Sequence, residues 1–156
     1  MNANRYSAAM LLLTCVACST RSTTPVDVAR SAAGVGATVL TVEILGLESD
    51  EGSVAVALFS SPESFDQRTG AVATGTVAPQ DGRATWSVAN LPAGTYAVAV
   101  FHDLNDNGEL DRTTLGPPAE PYGFSNDARG TFGPPRFDKA AFELPPGLHT
   151  IQIQVR

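Results

Sequence analysis

Gly94 to Asp111 reads GTYAVAVFHDLNDNGELD. Tyr96, Val98 and Val100 alternate with Ala97 and Ala99, the period of two that sends successive side chains to opposite faces of a β-strand. Both faces are apolar, so this strand is expected at the centre of a sheet covered on each side. Directly after it, side-chain oxygens crowd together at Asp103, Asn105, Asn107 and Asp111, with Gly108 where the backbone must turn. The strand thus ends in a long excursion that runs to Phe137. Connections of more than about 12–15 residues are uncommon in compact domains and are usually functional or disordered. The aromatic and Pro-Pro punctuation here argues against a disordered linker.

Outward from that strand, the same alternation recurs. Leu40, Val42 and Ile44 share one face, and Val54, Val56 and Leu58 repeat it after the turn SDEGS. Residues 60–70 form a connection with room for one helical turn. Val72 to Val77 and Ala84 to Val88 flank QDGR, a hairpin-type turn. Beyond the excursion, Ala140, Phe142 and Leu144 make a strand, and Ile151, Ile153 and Val155 make the last. No stretch holds a 3.6-residue period over a helix length. Seven short strands with turn signals between them predict an all-β, antiparallel, seven-stranded β-sandwich of Ig-like Greek-key kind, with one long Gly/Pro-rich loop. Trp86, in phase with Ala84 and Val88, is expected in the core.

Composition bounds the function. Of 156 residues, 43% are hydrophobic and 17% charged, and 16 acids against 10 bases give a net charge of −6. With no basic stripe to neutralise phosphates, nucleic acid is not an expected partner. Residues 1–18 read as an export signal: Asn4-Arg5, the apolar run AAMLLLTCVA and the small Ala17 before Cys18. That run is too short to span a membrane, which needs about 20 residues. Residues 19–36 are small, polar and aperiodic, a flexible tether. The sandwich domain is expected over 37–156. Both cysteines, Cys15 and Cys18, lie in the signal, so the mature domain has no disulfide.

The loop supports two readings. Asp103-x-Asn105-x-Asn107-Gly108 occupies positions one, three, five and six of a calcium loop, whose hard cation takes six to eight oxygens. Glu109 would add a carbonyl and Asp111 a side chain, with Glu120 supplying the carboxylate missing at position twelve, Thr114. Such a site would be weak, in the range of about 10⁻⁴–10⁻³ M. Alternatively, Asx residues and Asn-Gly build turns with no metal at all. His102, Tyr122, Phe124, Ser125 and Asn126 are the further candidates for a binding loop, for a glycan or an envelope protein. An enzyme would draw on His102, Asp111 or Glu120, but no nucleophile elbow, zinc signature or dinucleotide fingerprint frames them. No catalytic residue is assigned. A purely structural domain is the third reading.

Three ordered blocks carry a resemblance: GTYAVAVFHDLNDNGELD, LGPPAEPYGFSND and FGPPRFDKAAFEL. Together they resemble the bacterial domain-of-unknown-function family numbered 2141, over roughly Val39 to Val155. The resemblance implies an exported β-sandwich of the transthyretin-like or carboxypeptidase-regulatory-like type and no assigned activity. The N-terminus is similar to a bacterial lipoprotein signal, with Cys18 as the lipidated residue. Release by simple cleavage stays open, because Cys15 stands where that pattern has Leu. The expected location is the periplasmic side of the outer membrane, or soluble in the periplasm or medium.

Overall fold

Alternating side chains leave each strand one face to bury, and two sheets meeting face to face is the outcome. The computed structural model describes residues 38–156 except 115 and 132. The expected export signal at 1–18, the expected tether at 19–36 and Cys18 lie outside the described residues. In chain order the strands are β1 (Thr38–Leu45), β2 (Ser53–Phe59), β3 (Ala73–Val77), β4 (Arg83–Leu91), β5 (Gly94–Asp103), β6 (Tyr122–Phe124), β7 (Phe142–Leu144) and β8 (Leu148–Gln154). Helix α1 (Pro62–Gln67) follows β2, and a single turn, α2 (Phe137–Ala140), precedes β7. One sheet has the order β4-β1-β8 and the other β3-β2-β5-β6, with β7 also paired to β5.

Between the sheets lie Leu40, Val42 and Ile44 of β1, Val54, Val56 and Leu58 of β2, and Tyr96, Val98 and Val100 of β5. These are the inward sets the alternation predicts. Each fully buried Leu, Ile or Val contributes about 1.5–3 kcal/mol. Trp86 is in the same core, over Gly75 of β3, where a Cβ would collide with its indole nitrogen. The opposite face of β2 and β5 is also covered. Small Ala57, Ala97 and Ala99 leave room for a second cluster of Phe59, Phe65, Phe124, Phe137 and Ala140. Helix α1 holds Phe65 there: Ser61 caps its N-terminus by accepting the Ser64 amide, Pro62 starts it, and Arg68 ends it in the left-handed region.

Four expectations are corrected. An eighth strand, β6, forms inside the long loop. It pairs with Ala99 to Phe101 and satisfies backbone groups on that flank of β5. The sandwich is not wholly antiparallel, since β1 and β8 run parallel. A period of two reports faces, not direction; direction is set when the chain crosses to the other sheet after β7, through Pro145-Pro146-Gly147. The turn Gln80–Arg83 closes as predicted, with Asp81 and Gly82 at φ 51° and 71°. Its flanking strands do not pair, however: β3 joins β2 and β4 joins β1. Residues 137–140, expected as loop and strand, are a helical turn.

The Gln80–Arg83 turn is held by Asp50, whose carboxylate accepts the Asp81 and Gly82 amides at 3.0 Å each. Those bonds, Gly82 first, hold the Asp50 carboxyl below its ordinary range. A depressed folded-state pKa means that the stabilisation is present above the unfolded value of about 3.9 and is lost as pH falls through the folded one. Asp50→Asn should therefore melt below wild type at pH 6, with the gap closing below about pH 4. A gap that persists at pH 2 in thermal melts would contradict this account.

Candidate functional site

The loop leaving β5 folds around its own carboxylates. Asp103, 3% exposed, accepts the Asn107 amide at 3.1 Å and the Gly108 amide at 2.7 Å, one on each oxygen. Asn105 Oδ1 also accepts from the Asn107 amide at 3.1 Å, and Asn107 Oδ1 accepts from Glu109 N at 2.7 Å. The amide side chains of Asn105 and Asn107 donate to the two Asp111 oxygens at 2.7 and 3.2 Å. Left-handed φ values at Asp106 (56°) and Gly108 (79°) make the turn.

Glu120 fastens the loop's two ends. Only 6% exposed, it accepts Leu104 N–H at 2.9 Å and Asp111 N–H at 3.0 Å, again one per oxygen. Arg112 then bridges antiparallel to Pro118. The six proposed calcium ligands thus gather in one loop, but not as an open cage. Asp103 and Glu120 have both oxygens directed at backbone amides, and Glu109 enters the network through its amide. Among the described residues, no group of three or more acidic, His or Cys side chains is arranged to hold a metal ion.

His102 is fully buried. Its Nε2–H donates to the Glu51 carbonyl at 2.8 Å, tying β5 to the turn between β1 and β2, and its Nδ1 has no partner among the described residues. Ser125, also buried, accepts the Val98 amide at 2.9 Å and donates to the Ala140 carbonyl. The two residues hold β5 four residues apart, about 13 Å at 3.3 Å per residue. His102, Ser125 and Asp111 therefore do not meet as a triad.

Asn126 and Asp127 complete a clamp at Ser125. Both take left-handed φ, 60° and 48°, which Asn and Asp tolerate better than other side-chain-bearing residues. Asn126 Nδ2 donates to the Ala141 carbonyl at 2.8 Å, and Asp127 Oδ1 accepts the Gln154 amide at 3.0 Å. Tyr122 and Phe124 face the outer aromatic cluster, 5.9 Å apart and edge-on. Gly123, between them, faces inward, where a Cβ would lie 2.8 Å from Ile153 Cγ2. That close approach lets Tyr122 exchange backbone hydrogen bonds with Arg156 and join the two sheets at one edge.

Sequence reasoning missed Asp50, Asp127, Phe65 and Arg68. Asp127 completes the Ser-Asn-Asp run and was visible as its neighbour. Asp50 and Phe65 act across long separations that leave no local pattern, and Arg68 reaches Phe124 as well as the neighbouring Phe65. Phe137 packs on Phe65 at 5.8 Å and so anchors the far end of the loop.

A family model described as "Uncharacterized protein conserved in bacteria (DUF2141)" matches residues 42–152. No curated protein and no solved structure matches the chain.

Proposed function

The chain belongs to this bacterial family, and from that premise we propose that it is an exported, non-catalytic β-sandwich serving as an accessory binding or scaffolding module at the cell envelope. In this reading Cys18 carries the lipid that holds it to the outer membrane, facing the periplasm. The one observation that carries the non-catalytic reading is where the reactive side chains point. His102, Asp103, Asp111, Glu120 and Ser125 each hydrogen-bond the protein's own backbone or amides. His102, Asp103, Glu120 and Ser125 are buried, and a buried group so engaged is a fastening, because freeing it would leave a backbone partner unsatisfied. The finer fold type, a Greek-key sandwich of the Ig-like or transthyretin-like kind, is supported by Tyr96. Its hydroxyl donates to the Pro92 carbonyl at 2.8 Å, the tyrosine-corner arrangement of such sandwiches.

Calcium belongs to the same proposal as a weak ligand of the Asp103–Glu120 loop. It is supported by the gathering of the Asn105, Asn107 and Asp111 side chains, and it would have to displace amide protons from their oxygens.

Three measurements test the module reading. Mass spectrometry of the exported protein should find acyl chains on Cys18; a free N-terminus beyond that residue would remove the anchor. Ser125→Ala should lower the melting temperature by an amount matching about 1–3 kcal/mol, the cost of unsatisfied buried partners. Ester, amide or glycoside turnover that vanishes in Asp111→Asn at unchanged melting temperature would overturn the non-catalytic reading.

A further inference from the structure

Asn107 is followed by Gly108, the one Asn-Gly step among the chain's six asparagines. That pair has its own chemistry. Glycine has no side chain to hinder its backbone nitrogen, which can close a five-membered ring on the carbonyl carbon of the preceding Asn side chain. Both residues are exposed, and a Cβ on Gly108 would meet nothing within 4 Å, so no neighbour obstructs ring closure or the approach of water. The left-handed φ of 79° at Gly108 favours glycine at that position.

Each group that would react is engaged. The Gly108 N–H, on the attacking nitrogen, donates to the buried Asp103 carboxylate at 2.7 Å. Asn107 Oδ1 accepts the Glu109 N–H at 2.7 Å, which fixes the side-chain carbonyl under attack. Asn107 Nδ2, the leaving group, donates to Asp111 at 3.2 Å. The Asn107 amide is itself held by Asp103 and Asn105, each at 3.1 Å. Asp103 therefore spans the reactive step, one oxygen on the residue that carries the electrophile and the other on the nucleophile. A nitrogen whose hydrogen is committed to a carboxylate does not turn its electron pair to a neighbouring carbon. Local opening of the loop would release these groups together, because they share Asp103.

We propose that Asn107 is a self-modification site gated by Asp103: the closed loop preserves the asparagine, and the opened loop converts it. The Gly108 nitrogen bonds to Asn107 Cγ, and its proton passes through water to Nδ2, which leaves as ammonia when the Cγ–Nδ2 bond breaks. Water then opens the succinimide at either carbonyl. One opening leaves aspartate in the original chain, the other isoaspartate with the chain routed through the side chain. Water in and ammonia out balance the conversion. Aspartate puts a carboxylate where Nδ2 faced Asp111, replacing a hydrogen bond by repulsion. Isoaspartate adds a backbone carbon to the turn. Neither product restores the original loop, so the change runs one way. It is independent of the module, anchor and calcium readings.

The test ages the full-length protein, in detergent with a chelator and mildly alkaline buffer, natively and in urea. Peptide mapping by mass spectrometry and enzymatic methylation of isoaspartate follow the product. Conversion at Asn107, a gain of about 1 Da, is expected to be at least about tenfold slower natively than in urea. Asn90, Asn105 and Asn126 should stay intact over the same time. Asp103→Ala should speed native conversion about tenfold, and Asp111→Ala, which leaves the Asp103 bonds in place, about threefold. Melting curves establish that each variant is folded. Equal rates in native and unfolded wild type, or no conversion in urea, would overturn the proposal. So would conversion of the other asparagines as fast as Asn107, or an unchanged rate in Asp103→Ala, with Asp111→Ala deciding in its place should Asp103→Ala not fold.

Discussion

Phe65→Ala is expected to destabilise the domain by about 3–5 kcal/mol, the range for removing a buried aromatic ring. Phe65 is wholly buried and touches Phe59, Phe124 and Phe137 edge-on at 5.6–5.8 Å. Each such pair adds about 0.5–1.5 kcal/mol beyond the area it buries. Helix α1 spans six residues, too short to persist alone, since isolated helices need roughly 12–15. Its place on the sheet therefore depends on this one side chain. Loss of the ring would also remove the platform under Arg68 and the contact that seats α2. Urea denaturation should show a lower midpoint, with Leu148→Ala as a control, because Leu148 is 82% exposed. A cost below about 1 kcal/mol would show that the outer layer is dispensable to the sandwich.

Asp103→Ala should cost about 3 kcal/mol and release the loop. Its two carboxylate oxygens satisfy the Asn107 and Gly108 amides, and hydrogen bonds to a charged acceptor are worth about 1.5–3 kcal/mol each net of exchange with water. Asp103→Asn is nearly isosteric yet should recover little, because its NH₂ group would face one of the two amide donors. Hydrogen exchange at Asn107 and Gly108 should accelerate in both variants. Unchanged protection there would mean that other contacts hold the loop. The same variant tests calcium. With a dissociation constant of about 1 mM, 10 mM calcium would stabilise wild type by about 1.4 kcal/mol and leave Asp103→Ala unmoved. A wild-type melting temperature indifferent to calcium would remove the metal from the proposal.

The candidate loop was legible in part. Asx residues at alternate positions announce either a cation loop or a turn, because both use the same oxygens in the same local geometry. What separates them here is Glu120, nine residues beyond Asp111, which grips the Leu104 and Asp111 amides. No spacing rule anticipates that. Ser125 and Asn126 are binding-loop candidates by type, yet Ser125 is buried between β5 and α2, and Asn126, though exposed, donates to the carbonyl after α2. Their type matched either role, and only the folded neighbours distinguish them.

The strand runs of β1 to β5, β7 and β8, the inward sets of β1, β2 and β5, the place of Trp86 and the turn at Asp81-Gly82 follow from the chain alone. Each is decided within a few residues, by pleat period and by which side chains tolerate left-handed angles. Strand direction, the parallel pairing of β8 with β1, the parting of β3 from β4, the added strand β6 and the aromatic layer with Arg68 on it were decided by tertiary structure. They depend on contacts between residues dozens of positions apart, where the same local pattern is compatible with several partners and packing selects one.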